Sequence, residues 1–389
     1  KQCILIKEII SIEVECLDMK VMTIVGTRPE IIKLSRVISR LAQSVEHTLV
    51  HTGQNDDFEL NDIFFNELGI TRPQHILNAR GKSAIETIAN VLQRTDEILE
   101  QVKPDAVLIL GDTNSAMSAI CAKRRKIPIF HMEAGNRCFD DRVPEEINRR
   151  IIDHISDINL VYTEHARRNL LAEGIATDRI FKTGSPQKEV LDFYGPQIAA
   201  SSVLARLGVT AKKYFLVSLH REENVDQPEN LRVFVGALNQ VVREYGLPIL
   251  FSVHPRTKLR LDALGEKLDP QVTTLKPLGF PDYVKLQREA FCVLSDSGTI
   301  TEEASLLGFP AINLREAHER PEGVDEGVLV MTGIDQTRIL DAISLTRRQV
   351  SENWTPTTPS DYLVENTSWK VTKAILSYTD YVNRTVWLK

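Results

Sequence analysis

Long apolar runs are missing from this 389-residue chain. No segment approaches the roughly 18 consecutive apolar residues that a membrane-spanning helix requires, so no membrane partner is expected. Cysteine is scarce and unpatterned. Cys3, Cys16, Cys121, Cys138 and Cys292 show neither paired spacing nor a Cys/His ligand pattern, which argues against a disulfide framework or a metal site and suits a reducing, cytoplasmic setting. Positive charge is not in excess: 47 Lys and Arg stand against 53 Asp and Glu, a formal net charge of −6. A general nucleic-acid surface is therefore not expected, and any anionic ligand must be held by particular residues. Neither a Gly-x-Gly-x-x-Gly fingerprint nor Walker spacing occurs, which counts against a tightly held nicotinamide or ATP, and no cofactor is expected. Residues 1–18 are interrupted by Lys7, Glu8, Glu13 and Glu15 and so contain no signal-peptide core; they read as an extension or an added edge strand.

What is present is the alternation of an α/β protein. The chain exceeds the size at which one core stops growing, so two domains of roughly 180 residues are expected. Short runs rich in Val and Ile at 21–25, 47–51, 106–110, 127–131 and 158–162 alternate with helix-length periodic segments such as 83–102 and 114–125. A second set follows at 214–219, 247–253, 291–295 and 310–314. This pattern predicts two doubly wound parallel sheets, a Rossmann-like domain over 19–186 and another over 187–364, with a C-terminal helix at about 365–389 packing back on the first. Thr183-Gly184-Ser185-Pro186 is a plausible hinge, and ligand is expected in the cleft at the C-terminal strand ends of both sheets.

Several strand ends carry chemistry. Gly26-Thr27-Arg28-Pro29-Glu30 follows the first strand and places Arg28 and Lys33 at a helix start, a phosphate- or substrate-facing position whose plainer reading is a solvated helix cap. Asp112, in Leu110-Gly111-Asp112-Thr113-Asn114, is placed to cap the next helix. Glu133 lies in His131-Met132-Glu133-Ala134-Gly135-Asn136-Arg137, and Pro144 opens a helix whose face repeats at Glu145 and Arg149. Asp112, Glu133 and Glu145 thus fall at one sheet edge, where carboxylates sharing a site raise one another's pKa and become proton donors or acceptors near neutral pH.

In the second half, His220 ends a strand as a phosphate partner or general acid, and His254 repeats the geometry more weakly. Ser295-Asp296-Ser297-Gly298-Thr299 is a small-residue turn before a helix, whose backbone N–H groups from about residue 298 suit a diphosphate. Glu303 is one turn inside that helix, facing ribose hydroxyls, and Tyr283 is a candidate to stack on a base. Arg320 follows in Glu319-Arg320-Pro321-Glu322.

From about Lys20 to the C-terminal helix these motifs, in this order, resemble the nonhydrolysing UDP-N-acetylglucosamine 2-epimerases. The resemblance implies a glycosyltransferase-B-like fold closing on a UDP-sugar, and a dimer through the first domain. It also implies a catalytic-cleft set of Arg28, Lys33, Asp112, Glu133, Glu145, Arg149 and His220. Tyr283, Ser297, Gly298, Thr299, Glu303 and Arg320 would hold uracil, diphosphate and ribose. The chain departs from the family pattern at Thr52-Gly53-Gln54-Asn55, in a shortened Glu133-to-Glu145 segment and at Ser297-Gly298-Thr299, which puts the family's allosteric UDP-sugar site in doubt. The segment from Ala134 to Glu146 resembles instead the UDP-N-acetyl-L-fucosamine synthase branch, which inverts C2 of UDP-2-acetamido-2,6-dideoxy-L-talose for capsule and O-antigen sugars. On that reading Phe139 and Val143 are candidates for packing on a 6-deoxy methyl.

C2 of a pyranose is not acidic, and the resemblance implies elimination of UDP to a glycal followed by re-addition. Asp112, Glu133 and Glu145 would be the acid/base groups and Arg28, His220 and Arg320 the stabilisers of departing UDP. The rivals are a glycosyltransferase of the same architecture, a hydrolysing epimerase, and a noncatalytic UDP-sugar sensor, which would have no need of three cleft carboxylates.

Overall fold

The structure is a computed structural model that describes residues 17–54 and 64–389. Residues 1–16, including Cys3 and Cys16, and Asn55 of the Thr-Gly-Gln-Asn motif lie outside the described residues.

Two parallel sheets organise the chain. The first orders its strands β3-β2-β1-β4-β5-β6-β7: β1 Leu17–Val25, β2 Val45–His51, β3 His75–Ile76, β4 Ala106–Leu110, β5 Ile129–Met132, β6 Ile158–Val161 and β7 Ile180–Lys182. The second orders β10-β9-β8-β11-β12-β13: β8 Phe215–Leu219, β9 Ile249–Val253, β10 Val272–Leu275, β11 Cys292–Ser295, β12 Ala311–Asn313 and β13 Val330–Met331. Every described strand pairing is parallel. Strands covered by helices on both faces must be apolar throughout, which explains why β4 reads Ala-Val-Leu-Ile-Leu and is buried at every residue.

In each sheet the strand order reverses beside the strand that comes first in sequence, between β1 and β4 and between β8 and β11, and these crevices face each other across the cleft. The helix Arg28–Ser44 opens with Pro29 in its first turn and buries Ile31, Leu34, Val37, Ile38 and Leu41 against the first sheet. The predicted helix over 114–125 is instead a 3-10 turn, Asn114–Ser118, running into the helix Ala119–Arg124. The second-sheet turn is longer than expected: the helix after β11 begins at Ile300, with Thr299 as its N-cap, rather than at 298.

The cores show how the halves interlock. Val190, Leu191, Tyr194 and Ile198, on the helices Gln187–Phe193 and Gly195–Ala200, are buried in the first sheet's core together with Phe280 and Val284 from beyond β10. The helix Thr367–Val382 returns to the same core through Val371, Ile375 and Val382. Gly184 adopts φ +81, and a Cβ there would stand 2.4 Å from Val364, so the segment read as a hinge is packed tightly under the returning chain.

Candidate active site in the interdomain cleft

A pocket spanning about 930 Å³ of space, part of it open to solvent, lies between the facing crevices. It is lined by Arg28, Lys33 and Phe64 from the first half and by His220, His254, Phe280, Tyr283, Ser297, Thr299 and Glu303 from the second. Eight of the residues singled out in the sequence therefore share one space.

Its second-sheet wall is built by a buried carboxylate the sequence reading passed over. Asp296, fully buried, accepts the backbone N–H of His220 at 3.0 Å and of Arg221 at 2.8 Å, and lies 2.9 Å from His220 Nδ1. Burial pushes its pKa up, but His220 and the two amides outweigh that and bring it to about 2. Asp296 thus fixes the β8 end to the β11 end and aims the half-exposed His220 ring. Beside it, Ser297 Oγ and Thr299 Oγ1 are 3.0 Å apart, and Thr299 donates to Glu303 at 2.9 Å. Glu303 also accepts from Gln287 Nε2 at 2.5 Å, and burial raises its pKa. Burial likewise pushes Tyr283 up to about 12, keeping its hydroxyl neutral at the cavity wall.

Behind the first-sheet wall lies an ion-pair network. Glu133 follows β5 in the left-handed region, φ 64, a conformation that an L-residue holds only when its surroundings impose it. Its carboxylate pairs with Lys33 Nζ and lies 3.0 Å from Arg320 Nη2. The loop beneath is held by fully buried groups: Asp153 accepts from Gly135 N at 3.1 Å and Arg137 Nη1 at 2.7 Å, and lies 2.9 Å from His131 Nδ1. Asp112 pairs with Arg149, at 2.9 Å to Nε and 2.5 Å to Nη2. Arg149 Nη1 lies 2.9 Å from Glu146, and Glu145 pairs with Arg221 Nη1 at 3.2 Å. Arg320 adds Glu302 at 2.6 Å and Glu319 at 3.4 Å.

This arrangement corrects several expectations. Glu133 is not raised as expected: burial pushes it up, but Lys33 and Arg320 prevail and hold it at about 2. Asp112 does not cap the following turn; Thr113 does, accepting from Ser115 N at 3.2 Å. Arg149 pairs with Glu146, three residues back, and not with Glu145, whose carboxylate turns to Arg221 instead. Glu133, Glu145, Asp112, Arg149, Gly298 and Arg320 are absent from the cavity lining and stand behind it, with Lys33 common to both regions. Phe139 is 73% exposed and Val143 is buried at 6%, and neither lines the cavity.

Glu30 was also missed. Buried at 3%, it accepts from Gly26 N at 2.6 Å and Thr113 Oγ1 at 2.7 Å, tying the β1 end to the β4 end. Burial raises its pKa to about 7 against those hydrogen bonds, with Asp112 adding to the rise. Asp296, Glu302 and Glu319 all stand within motifs the sequence singles out. Which cation each one meets has no signal in residue spacing.

A two-domain α/β protein with an interdomain cleft, a small-residue turn on one wall and a network of carboxylate ion pairs behind the other belongs to the class of nucleotide-sugar enzymes with glycosyltransferase-B-like folds. A family profile described as UDP-N-acetylglucosamine 2-epimerase matches residues 39–376, and the chain belongs to that family, whose members are isomerases. Its fold is similar to the structure of UDP-N-acetylglucosamine 2-epimerase from Rickettsia bellii, with TM-score 0.89 and 52% identity over 96% of this chain and 100% of that one. The UDP-GlcNAc 2-epimerase of Methanocaldococcus jannaschii, in complex with UDP-GlcNAc and UDP, matches with TM-score 0.87 and 34% identity, covering 92% and 100%. A Pseudomonas aeruginosa relative, UDP-2,3-diacetamido-2,3-dideoxy-D-glucuronate 2-epimerase, is 34% identical over 83% of this chain and 91% of its own length.

Proposed function

We propose that this protein inverts C2 of a UDP-N-acetylamino sugar by elimination and re-addition of UDP. The observation that carries this reading is Glu133: a carboxylate kept ionised by Lys33 and Arg320, behind a cavity whose opposite wall is the Ser297–Thr299 turn. An ionised carboxylate accepts the C2 proton. The electron pair left at C2 forms the C1–C2 double bond, the C1–O bond breaks, and UDP leaves with the two electrons of the C1–O bond. The reverse step returns a proton to the opposite face of C2 while UDP re-adds at C1.

Arg28, His220 and Arg320 stabilise the departing diphosphate, contacts typically worth about 2–4 kcal/mol each in such sites. Asp112 and Glu145 are the remaining proton-transfer groups, and Arg149 orients Asp112. Ser297, Gly298 and Thr299 hold the diphosphate, Glu303 the ribose, and Tyr283 and His254 the nucleoside end. No reaction step calls for a cofactor. Closure of the cleft keeps the glycal from escaping.

The particular substrate we infer is UDP-2-acetamido-2,6-dideoxy-L-talose, giving UDP-N-acetyl-L-fucosamine for capsule or O-antigen synthesis by a cytoplasmic homodimer. The support is the Ala134–Glu146 segment and its likeness to the L-fucosamine synthase branch. UDP-N-acetylglucosamine is the second reading, favoured by what the Rickettsia and Methanocaldococcus relatives are called. Proton NMR in D₂O with each UDP-sugar separates them. Deuterium entry and a new C2 epimer from the talo sugar alone supports the first; exchange only with UDP-N-acetylglucosamine supports the second. Exchange with neither, together with UDP release that depends on an added acceptor sugar, returns the protein to the glycosyltransferases.

A further inference from the structure

Glu319 is buried at 6%, on the segment after β12, in the middle of the cleft's arginines. Its Oε2 lies 2.9 Å from Arg315 Nη1, and its Oε1 lies 3.4 Å from Arg320 Nη1 and 4.0 Å from Arg149 Nη2. Oε1 also stands against the turn read as the diphosphate seat: a Cβ built on Gly298 would lie 3.0 Å from it, and 3.5 Å from Arg221 and Arg320. A carboxylate in that position does two opposed things. It screens the guanidinium groups from one another, so that they can converge from both halves of the molecule. It also places negative charge beside the place where a diphosphate would put its own.

We propose that Glu319 is a positioning residue, a built-in anion that holds Arg149, Arg315 and Arg320 in place and competes with the diphosphate for them. This rests on the elimination reading. An epimerase must hold UDP long enough to re-add it, yet free UDP held too firmly stabilises the intermediate state and slows its return to sugar nucleotide. Repulsion from Glu319 offsets the pull of the arginines. Arg315, which restrains one oxygen of Glu319, governs how fully that charge falls on Arg320.

The test is UDP binding by titration calorimetry together with kcat and KM for the UDP-sugar, in wild type, Glu319→Gln, Glu319→Asp and Arg315→Gln, each checked by a thermal melt. Glu319→Gln is expected to bind UDP roughly tenfold more tightly, the scale of removing one like charge at close range in a partly screened site, and to lower KM and kcat together. Glu319→Asp, with its charge drawn back from Gly298, should shift in the same direction but less, and it carries the test if the Gln variant does not fold. Arg315→Gln should shift UDP affinity the opposite way. A Glu319→Gln or Glu319→Asp protein that melts normally and binds UDP no better than wild type overturns the proposal, as does a loss of UDP affinity in all three variants. Failure of the wild type to bind UDP would remove the elimination reading itself.

Discussion

The first sheet and the second repeat one strand order, and the residues leaving corresponding strand ends are held in contrasting ways. Asp112 follows β4, and Asp296 follows the equivalent strand β11. Asp296 is fully buried and fixed by two backbone N–H groups, so its negative charge is consumed in building the wall. Asp112 is ion-paired to the Arg149 side chain and remains 20% exposed. Topology delivers a carboxylate to the same place twice, and the local donors decide whether its charge is spent on backbone amides or on a side-chain ion pair. The β5 end continues the contrast, because Glu133 is held by buried cationic side chains rather than by amides.

The largest effect that would break this division is on turnover. Glu133→Gln and Asp112→Asn should each lower kcat by about 10²–10⁴-fold, read as C2 deuterium exchange, while UDP affinity moves little. Equal losses in both quantities would make these residues scaffold like Asp296. Asp296→Asn should do the reverse: an amide turned toward the His220 and Arg221 N–H groups loses charge-assisted bonds. The melt should record a destabilisation of about 2–4 kcal/mol, with UDP binding impaired as the His220 end loosens.

A smaller effect is expected at Gly298. An alanine Cβ would press on Glu319 Oε1 at 3.0 Å, and UDP affinity should fall several-fold with little change in melting temperature. An unchanged Kd would mean that the turn is farther from the ligand than its sequence implies.

The smallest effect separates buried carboxyls by the sign of their pH dependence. Glu133 and Asp296, with folded pKa values of about 2, contribute stability that is present above the unfolded range near 4 and is lost as pH falls toward 2. Glu30, raised to about 7, binds a proton more readily folded than unfolded, so its contribution falls as pH rises from about 4.5 to 7. Glu30→Gln keeps an acceptor for Gly26 N and removes that titration. Its melting temperature relative to wild type should therefore improve steadily between pH 5 and pH 8. A difference that stays flat across that range would show Glu30 to titrate as an ordinary carboxyl.

Apolar runs made most of the framework readable. The runs at 106–110 and 158–162 became β4 and β6 almost residue for residue, because a strand buried on both faces is mostly apolar, with the buried Asn159 of β6 satisfied by the Asp153 carbonyl. The edge strands β3, β7, β10 and β13 went unseen because no continuous apolar run marks them: β7 reads Ile-Phe-Lys and β10 Val-Thr-Thr-Leu. The helix start at Pro144 was legible because proline at the first turn loses no hydrogen bond.

By itself the sequence determined two parallel α/β sheets, the strand ends that face each other and the residue types delivered to them, since backbone periodicity and turn chemistry are local properties. Only the tertiary structure decided that Glu133 meets Lys33 and Arg320, that Arg149 takes Asp112 with Glu146, and that Asp296 is locked by amides while Glu319 stands among arginines. Those pairings set which carboxyls stay ionised, and they join residues up to 187 positions apart, from Glu133 to Arg320, through Coulomb forces and burial that exist only once the chain has folded.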